Sequence, residues 1–126
     1  MAKKILVVDD EQVIHDVIQD LLEFKGYTVD HAYNGEEAVE KVKLTHPDLI
    51  ILDINVPKIT GCAVSTLLSE DDSTRDIPII FLTGYIDQKE AETLDHNLSG
   101  QLLVTKPFNV DDLISAIEKI LGKLPE

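Results

Sequence analysis

A chain of 126 residues is one ordinary domain, long enough to bury roughly two-thirds of the surface it exposes when unfolded. With 44% hydrophobic and 28% charged residues it is globular rather than disordered, and a formal charge of −13 argues against DNA or an anionic membrane surface, both of which need clustered Lys and Arg. That balance suits a soluble acidic protein that binds cations or basic partner surfaces.

Cys62, the single cysteine, can form neither an internal disulfide nor a CxxC metal site, and it reads as a small packing residue in a reducing compartment. The apolar run after Lys3-Lys4 is too short for a signal peptide, and no run approaches the roughly 20 residues needed to span a bilayer. A cytoplasmic location is expected.

Apolar periodicity switches repeatedly between strand and helix along the chain. "KILVV" reads as a buried strand. Val13, Ile14, Val17, Ile18, Leu21 and Leu22 then recur at helical spacing up to Gly26. "YTVDHA" alternates, as a half-exposed edge strand does. Asn34 opens a second helix with Glu37 three residues on, close to a capping box. "DLIILD" is a second fully apolar strand, and a loop with Pro57 and Gly61 leads into a short helix through Val64, Leu67 and Leu68. "IPIIFLTG" is a third buried strand, followed by a weakly patterned helix over 88–94. "QLLVT" is the last strand, and Asn109 caps a final helix that ends at Gly122. Five strands alternating with five helices predict one α/β domain over 1–126, a parallel sheet with helices on both faces.

Parallel strands all end on one edge, and open α/β sheets bind ligands there, where the strand order switches. Asp9 and Asp10 follow the first strand, Asp53 ends the third, Thr83 follows the fourth and Lys106 the fifth. The second strand contributes nothing comparable, as a rim strand would not. Asp9 and Asp10 alone would read as a solvated turn or helix cap. Three acids, a hydroxyl and an ammonium on one edge make a chemical site.

The segments "VVDDEQ", "LIILDINVPKITG", "PIIFLTG" and "VTKPF" resemble the receiver domain of two-component response regulators, in order and across nearly the whole chain. The resemblance implies a doubly wound, flavodoxin-like five-stranded sheet in the order 2-1-3-4-5. It also implies that Asp53 accepts a phosphoryl group from a phosphohistidine on a sensor histidine kinase or phosphotransfer protein. Asp10, Asp53 and the backbone carbonyl of Asn55 would ligate Mg²⁺, with Asp9 acting mostly through metal-bound water. Thr83 and Lys106 would bind the phosphoryl oxygens, and the peptide before Pro107 would be cis. The positions of Tyr85 and Asn55 tune, in this family, how water reaches the phosphoaspartate. The expected role is a phosphoacceptor that catalyses only its own phosphorylation and dephosphorylation and switches affinity for a protein partner, the downstream target being unspecified.

The chemistry agrees. A carboxylate is a competent nucleophile toward phosphorus once its charge is shielded from the incoming oxygens. Mg²⁺ provides that shield with one or two carboxylates, phosphate and water, and the rest is positioning and electrostatics.

Three departures stand out. Many receivers carry Tyr or Phe where this chain has Leu103, three residues before the lysine, and that ring's rotation helps to report phosphorylation. Gly84 stands where Ala is frequent, and Ser99-Gly100 replaces the more usual Gly-Ala. The histidines His15, His31, His46 and His96 share no ligand spacing and read as ordinary surface or interface residues.

A haloacid dehalogenase-type phosphatase, which also uses Asp, Thr, Lys and Mg²⁺, is the alternative. It usually needs a general acid two residues after the nucleophile, where this chain has Asn55. A flavodoxin-like electron carrier fails because the first loop is acidic where a flavin phosphate needs Gly, Ser or Thr donors.

Overall fold

The apolar run that opens the chain is buried because it becomes a central strand. A computed structural model describes residues 3–84, 97–98 and 101–122. The elements run β1 (Lys4–Val8), α1 (Gln12–Phe24), β2 (Thr28–Ala32), α2 (Gly35–Thr45), β3 (Leu49–Asp53), α3 (Gly61–Glu70), β4 (Ile79–Thr83), β5 (Asn97–Leu98), β6 (Gln101–Thr105) and α4 (Val110–Leu121). The helix expected over 88–94 and the Ser99-Gly100 pair lie outside the described residues.

The sheet order is β2-β1-β3-β4-β6-β5, with every pairing parallel except that of β5 with β6. Counting β6 as the fifth parallel strand, this is the expected 2-1-3-4-5 order. The two-residue β5 pairs Asn97 with Leu102 and Leu98 with Gln101, and is too short to leave a periodic signal in the sequence.

Alternate strand residues face opposite sides, which builds two cores. Leu6, Val8, Ile50, Leu52 and Phe81 pack with Ala38 and Val42 of α2 and Val64 and Leu68 of α3. Ile5, Val7, Ile51, Ile80 and Leu82 pack with Ile18 and Leu22 of α1 and Leu113 and Ile117 of α4. Each such side chain contributes about 1.5–3 kcal/mol by leaving water. Covered on both faces, β3 and β4 are buried along their whole length, whereas β2 at the rim is half-buried.

Helices α2, α3 and α4 each begin at a side-chain cap. Asn34 Oδ1 accepts from the Glu37 N–H at 2.9 Å, Thr60 Oγ1 from Ala63 at 3.2 Å, and Asn109 Oδ1 from Asp111 at 2.8 Å. The inward stripe of α1 departs from the expected one. It runs His15, Ile18, Leu22, while Val13 and Val17 are exposed.

Candidate functional site

Asp9 directly follows β1, Asp53 ends β3, Thr83 ends β4 and Lys106 directly follows β6. Those strands are neighbours and parallel, so the four residues share one edge. Carboxylate oxygens of Asp9, Asp10 and Asp53 lie within 4.8 Å of one another. Asp9 is wholly buried, Asp53 nearly so, and Asp10 is exposed. The Lys106 ammonium reaches into the cluster, 2.7 Å from Asp9 Oδ2, 3.0 Å from Asp53 Oδ2 and 3.3 Å from Glu11 Oε1.

Asp9 is tied at almost every polar atom. Its N–H donates to the Ala32 carbonyl at 3.2 Å, its carbonyl lies 2.7 Å from His15 Nε2, and its Oδ1 accepts from the Glu11 N–H at 2.9 Å. Oδ2 alone accepts no hydrogen bond. Lys106 is close enough to that oxygen for an ion pair but stands outside hydrogen-bond geometry. Burial pushes the Asp9 carboxyl above the usual carboxylate range, and the nearby Asp53 charge adds to it; Lys106 and the Glu11 N–H only partly offset this. Burial also disfavours the Lys106 ammonium, but its contacts with Asp9 and Asp53 outweigh that and hold its pKa above the ordinary lysine value.

The loop after β3 is folded back tightly over Asp53. The Asn55 N–H donates to Asp53 Oδ1 at 3.0 Å, and the Gly61 N–H to the Ile54 carbonyl at 2.8 Å. A Cβ at position 61 would lie 2.4 Å from the Asp53 carbonyl oxygen, so only glycine permits this approach. On the neighbouring strands at the same edge, the Lys106 N–H donates to the Thr83 carbonyl at 2.7 Å, and the Lys106–Pro107 peptide is cis. Thr83 is wholly buried and paired in register with Thr105.

Five expected edge residues are thus together: Asp9, Asp10, Asp53, Thr83 and Lys106. Leu103 is elsewhere, in the core beneath α2 and α3, 2% exposed and paired with Phe81. Tyr85 lies outside the described residues. Cys62 is exposed, not packed. His15 and His31 also depart from expectation: His15 is wholly buried, and the two rings face each other with Nδ1 atoms 2.7 Å apart. The signal for His15 is its spacing from Ile18 and Leu22, which places it on the inward stripe. Glu11 begins α1 as its N-cap residue but makes no side-chain cap bond, its carboxylate turning to Lys106 instead.

The family profile described as response regulator receiver domain matches residues 5–118. The chain belongs to the receiver domain family. Among curated receivers it is 31% identical over 122 residues to the polar-differentiation response regulator DivK of Brucella anthropi, covering 97% of this chain and 98% of that one. A response regulator structure from Chloroflexus aurantiacus superposes with a TM-score of 0.85 at 27% identity, covering 97% of this chain and 99% of the other. The receiver domain of a sensor histidine kinase from Pseudomonas aeruginosa superposes with a TM-score of 0.83 at 27% identity and the same coverage, and that structure holds a magnesium ion coordinated in its active-site cleft. Within this receiver domain, no helix among the described residues is long and apolar enough to cross a membrane.

Proposed function

We propose that this chain, a single receiver domain over 1–126, accepts a phosphoryl group on Asp53 from the phosphohistidine of a sensor histidine kinase or phosphotransfer protein in the cytoplasm. The observation that carries the reading is the Lys106 ammonium 3.0 Å from Asp53 Oδ2, with the carboxylates of Asp9 and Asp10 alongside. A carboxylate oxygen of Asp53 attacks phosphorus, an O–P bond forms, and the P–N bond to histidine breaks. The leaving imidazole nitrogen keeps the electron pair, and the product is an acyl phosphate.

The donor set fits Mg²⁺. It consists of hard carboxylate oxygens, and the wholly buried Asp9 Oδ2 accepts no hydrogen bond. Asp10, Asp53 and the Asn55 carbonyl would hold the ion, with Asp9 acting mostly through its bound water. When bound, Mg²⁺ neutralises the cluster and lets an anionic donor approach. Lys106 and the Thr83 hydroxyl bind the phosphoryl oxygens, and Lys106 is already placed by its backbone bond to Thr83. Movement of Thr83 toward those oxygens then alters the surface offered to a protein partner.

Incubation with acetyl phosphate and Mg²⁺ should add one phosphoryl group by intact mass spectrometry, and Asp53→Asn should abolish it. Undiminished labelling of the variant would move the acceptor elsewhere. Multiple turnovers on small phosphomonoesters would favour the phosphatase reading instead.

A further inference from the structure

We propose that His15 is a positioning residue for the acidic pair. In this proposal a hydrogen-bond chain from Gln19 through His31 and His15 holds the Asp9 carbonyl, and thereby sets how Asp9 and Asp10 present their carboxylates. The proposal rests on the reading of Asp9, Asp10 and Asp53 as the cation and phosphoryl site.

A buried imidazole on the inward stripe of α1 is costly unless it is hydrogen-bonded, since Leu or Ile could fill the space without polar atoms. Here both ring nitrogens have partners. Nε2 lies 2.7 Å from the Asp9 carbonyl, which can only accept, so Nε2 carries a hydrogen. Nδ1 lies 2.7 Å from His31 Nδ1. Two lone pairs would repel at that distance, so one hydrogen sits between the rings.

His31 Nε2 is in turn 2.8 Å from Gln19 Oε1, and the Gln19 Nε2 donates to Glu23. One arrangement satisfies all three contacts without net charge. The Gln19 NH₂ donates to His31 Nε2, His31 Nδ1–H donates to His15 Nδ1, and His15 Nε2–H donates to Asp9. It requires the Gln19 amide to turn its nitrogen toward His31, a change of no steric consequence. The contact given up is the exposed 3.3 Å one to Glu23. Burial keeps the His31 pKa below the usual histidine value, in keeping with a neutral ring.

The Tyr33 ring covers His15 with centroids 4.2 Å apart. With its N–H held by Ala32 of β2 and its carbonyl by His15 of α1, the Asp9 backbone is fixed from two elements. The rim strand β2 therefore serves the site through His31 and Ala32, although no residue of its own reaches the cluster.

The test uses the full chain with His15→Phe, which keeps a ring but loses both bonds, His15→Gln, which restores a donor, and Ile18→Ala as a destabilised control on the same stripe. Backbone amide NMR without metal reads the Asp9–Glu11 segment, and titration with Mg²⁺ alone reads affinity. Expected are shifted Asp9–Glu11 amides in metal-free His15→Phe and Mg²⁺ binding weakened about 10-fold. Partial recovery is expected in His15→Gln, and wild-type affinity in Ile18→Ala. Wild-type amide shifts in His15→Phe, or a loss of affinity no larger than that of Ile18→Ala, would overturn the proposal. Should His15→Phe not fold, His31→Phe on the rim strand decides: displaced Asp9–Glu11 amides support the chain, and unchanged ones refute it. If wild type neither binds Mg²⁺ nor is labelled at Asp53, the site reading fails, while the metal-free amides still judge His15.

Discussion

Lys106 meets the carboxylates of Asp9, Asp53 and Glu11, and the balance of charge around it sets the behaviour of the metal-free site. Asp9, Asp10 and Asp53 carry three formal negative charges within a few ångströms and Lys106 returns one positive charge. Removing a charge therefore has opposite effects depending on its sign. Asp10→Asn relieves repulsion, so it should raise the metal-free melting temperature and lose most of the stabilisation that Mg²⁺ gives wild type by binding the native state. Thermal melts with and without Mg²⁺ check this; an equal Mg²⁺ effect in both proteins would place the ion elsewhere. Lys106→Met leaves Asp9 and Asp53 facing each other uncompensated and should cost about 3 kcal/mol without metal. The folded pKa of Lys106 is raised above its ordinary 10.5, so its contribution is fully present below that pH and disappears only as pH rises through the shifted value. Chemical denaturation of both proteins from pH 7 to 10 should show a constant gap. The positions of these residues at one edge were legible because strand ends can be located from apolar runs. His15 was not, because a lone histidine in an amphipathic helix carries no mark of its partner on a strand 16 residues away.

At the level of elements, the loop joining β3 to α3 depends on two glycines as much as on its polar bonds. Gly61 lets the chain pass over the Asp53 carbonyl, and the Gly35 N–H donates to the Pro57 carbonyl at 3.1 Å where a Cβ would come within 2.1 Å of the Ile59 carbonyl oxygen. Backbone atoms cannot yield as a flexible side chain can, so Gly61→Ala should destabilise by about 1–3 kcal/mol. It should also slow acetyl phosphate labelling by displacing Asp53 and Asn55. A denaturation midpoint and labelling rate equal to wild type would show that the loop relaxes freely. Gly84 is different. A Cβ there would sit 3.7 Å from Lys106 Cβ, an ordinary contact, so Ala would fit at that position without displacing a neighbour. The strands were readable because β1, β3 and β4 are almost continuously apolar, a pattern that only burial on both faces produces. The two exposed valines of α1 were misplaced because a six-residue apolar set wraps too far around a helix to define one face. Burial then falls to whichever residues meet the sheet.

Across the described residues, the sheet carries the acidic cluster at one edge and an apolar core on each face, and the departure at Leu103 is answered by the core under α2 and α3. Leu103 belongs to the core under α2 and α3, packed with Phe81, its partner across β4 and β6. An aromatic residue with a polar tip could exchange that tip between interior and solvent; a leucine held in a close-packed core has no comparable second position. Thr83 lies on the neighbouring strand, and its carbonyl already holds the Lys106 N–H. A phosphoryl group on Asp53 would draw the Thr83 hydroxyl and Lys106 together, and a ligand shifts an equilibrium only by its differential contacts with the two states. Response should therefore concentrate at Thr83, Gly84 and Lys106 and leave Leu103 nearly still. Amide NMR with and without beryllofluoride, a phosphoryl mimic, in the presence of Mg²⁺ measures both. Thr83→Ala should flatten the Gly84 response while still binding the mimic. Large shifts at Leu103 that persist in Thr83→Ala would mean that the signal bypasses the hydroxyl and runs through the core, a route that the fixed packing of Leu103 against Phe81 opposes.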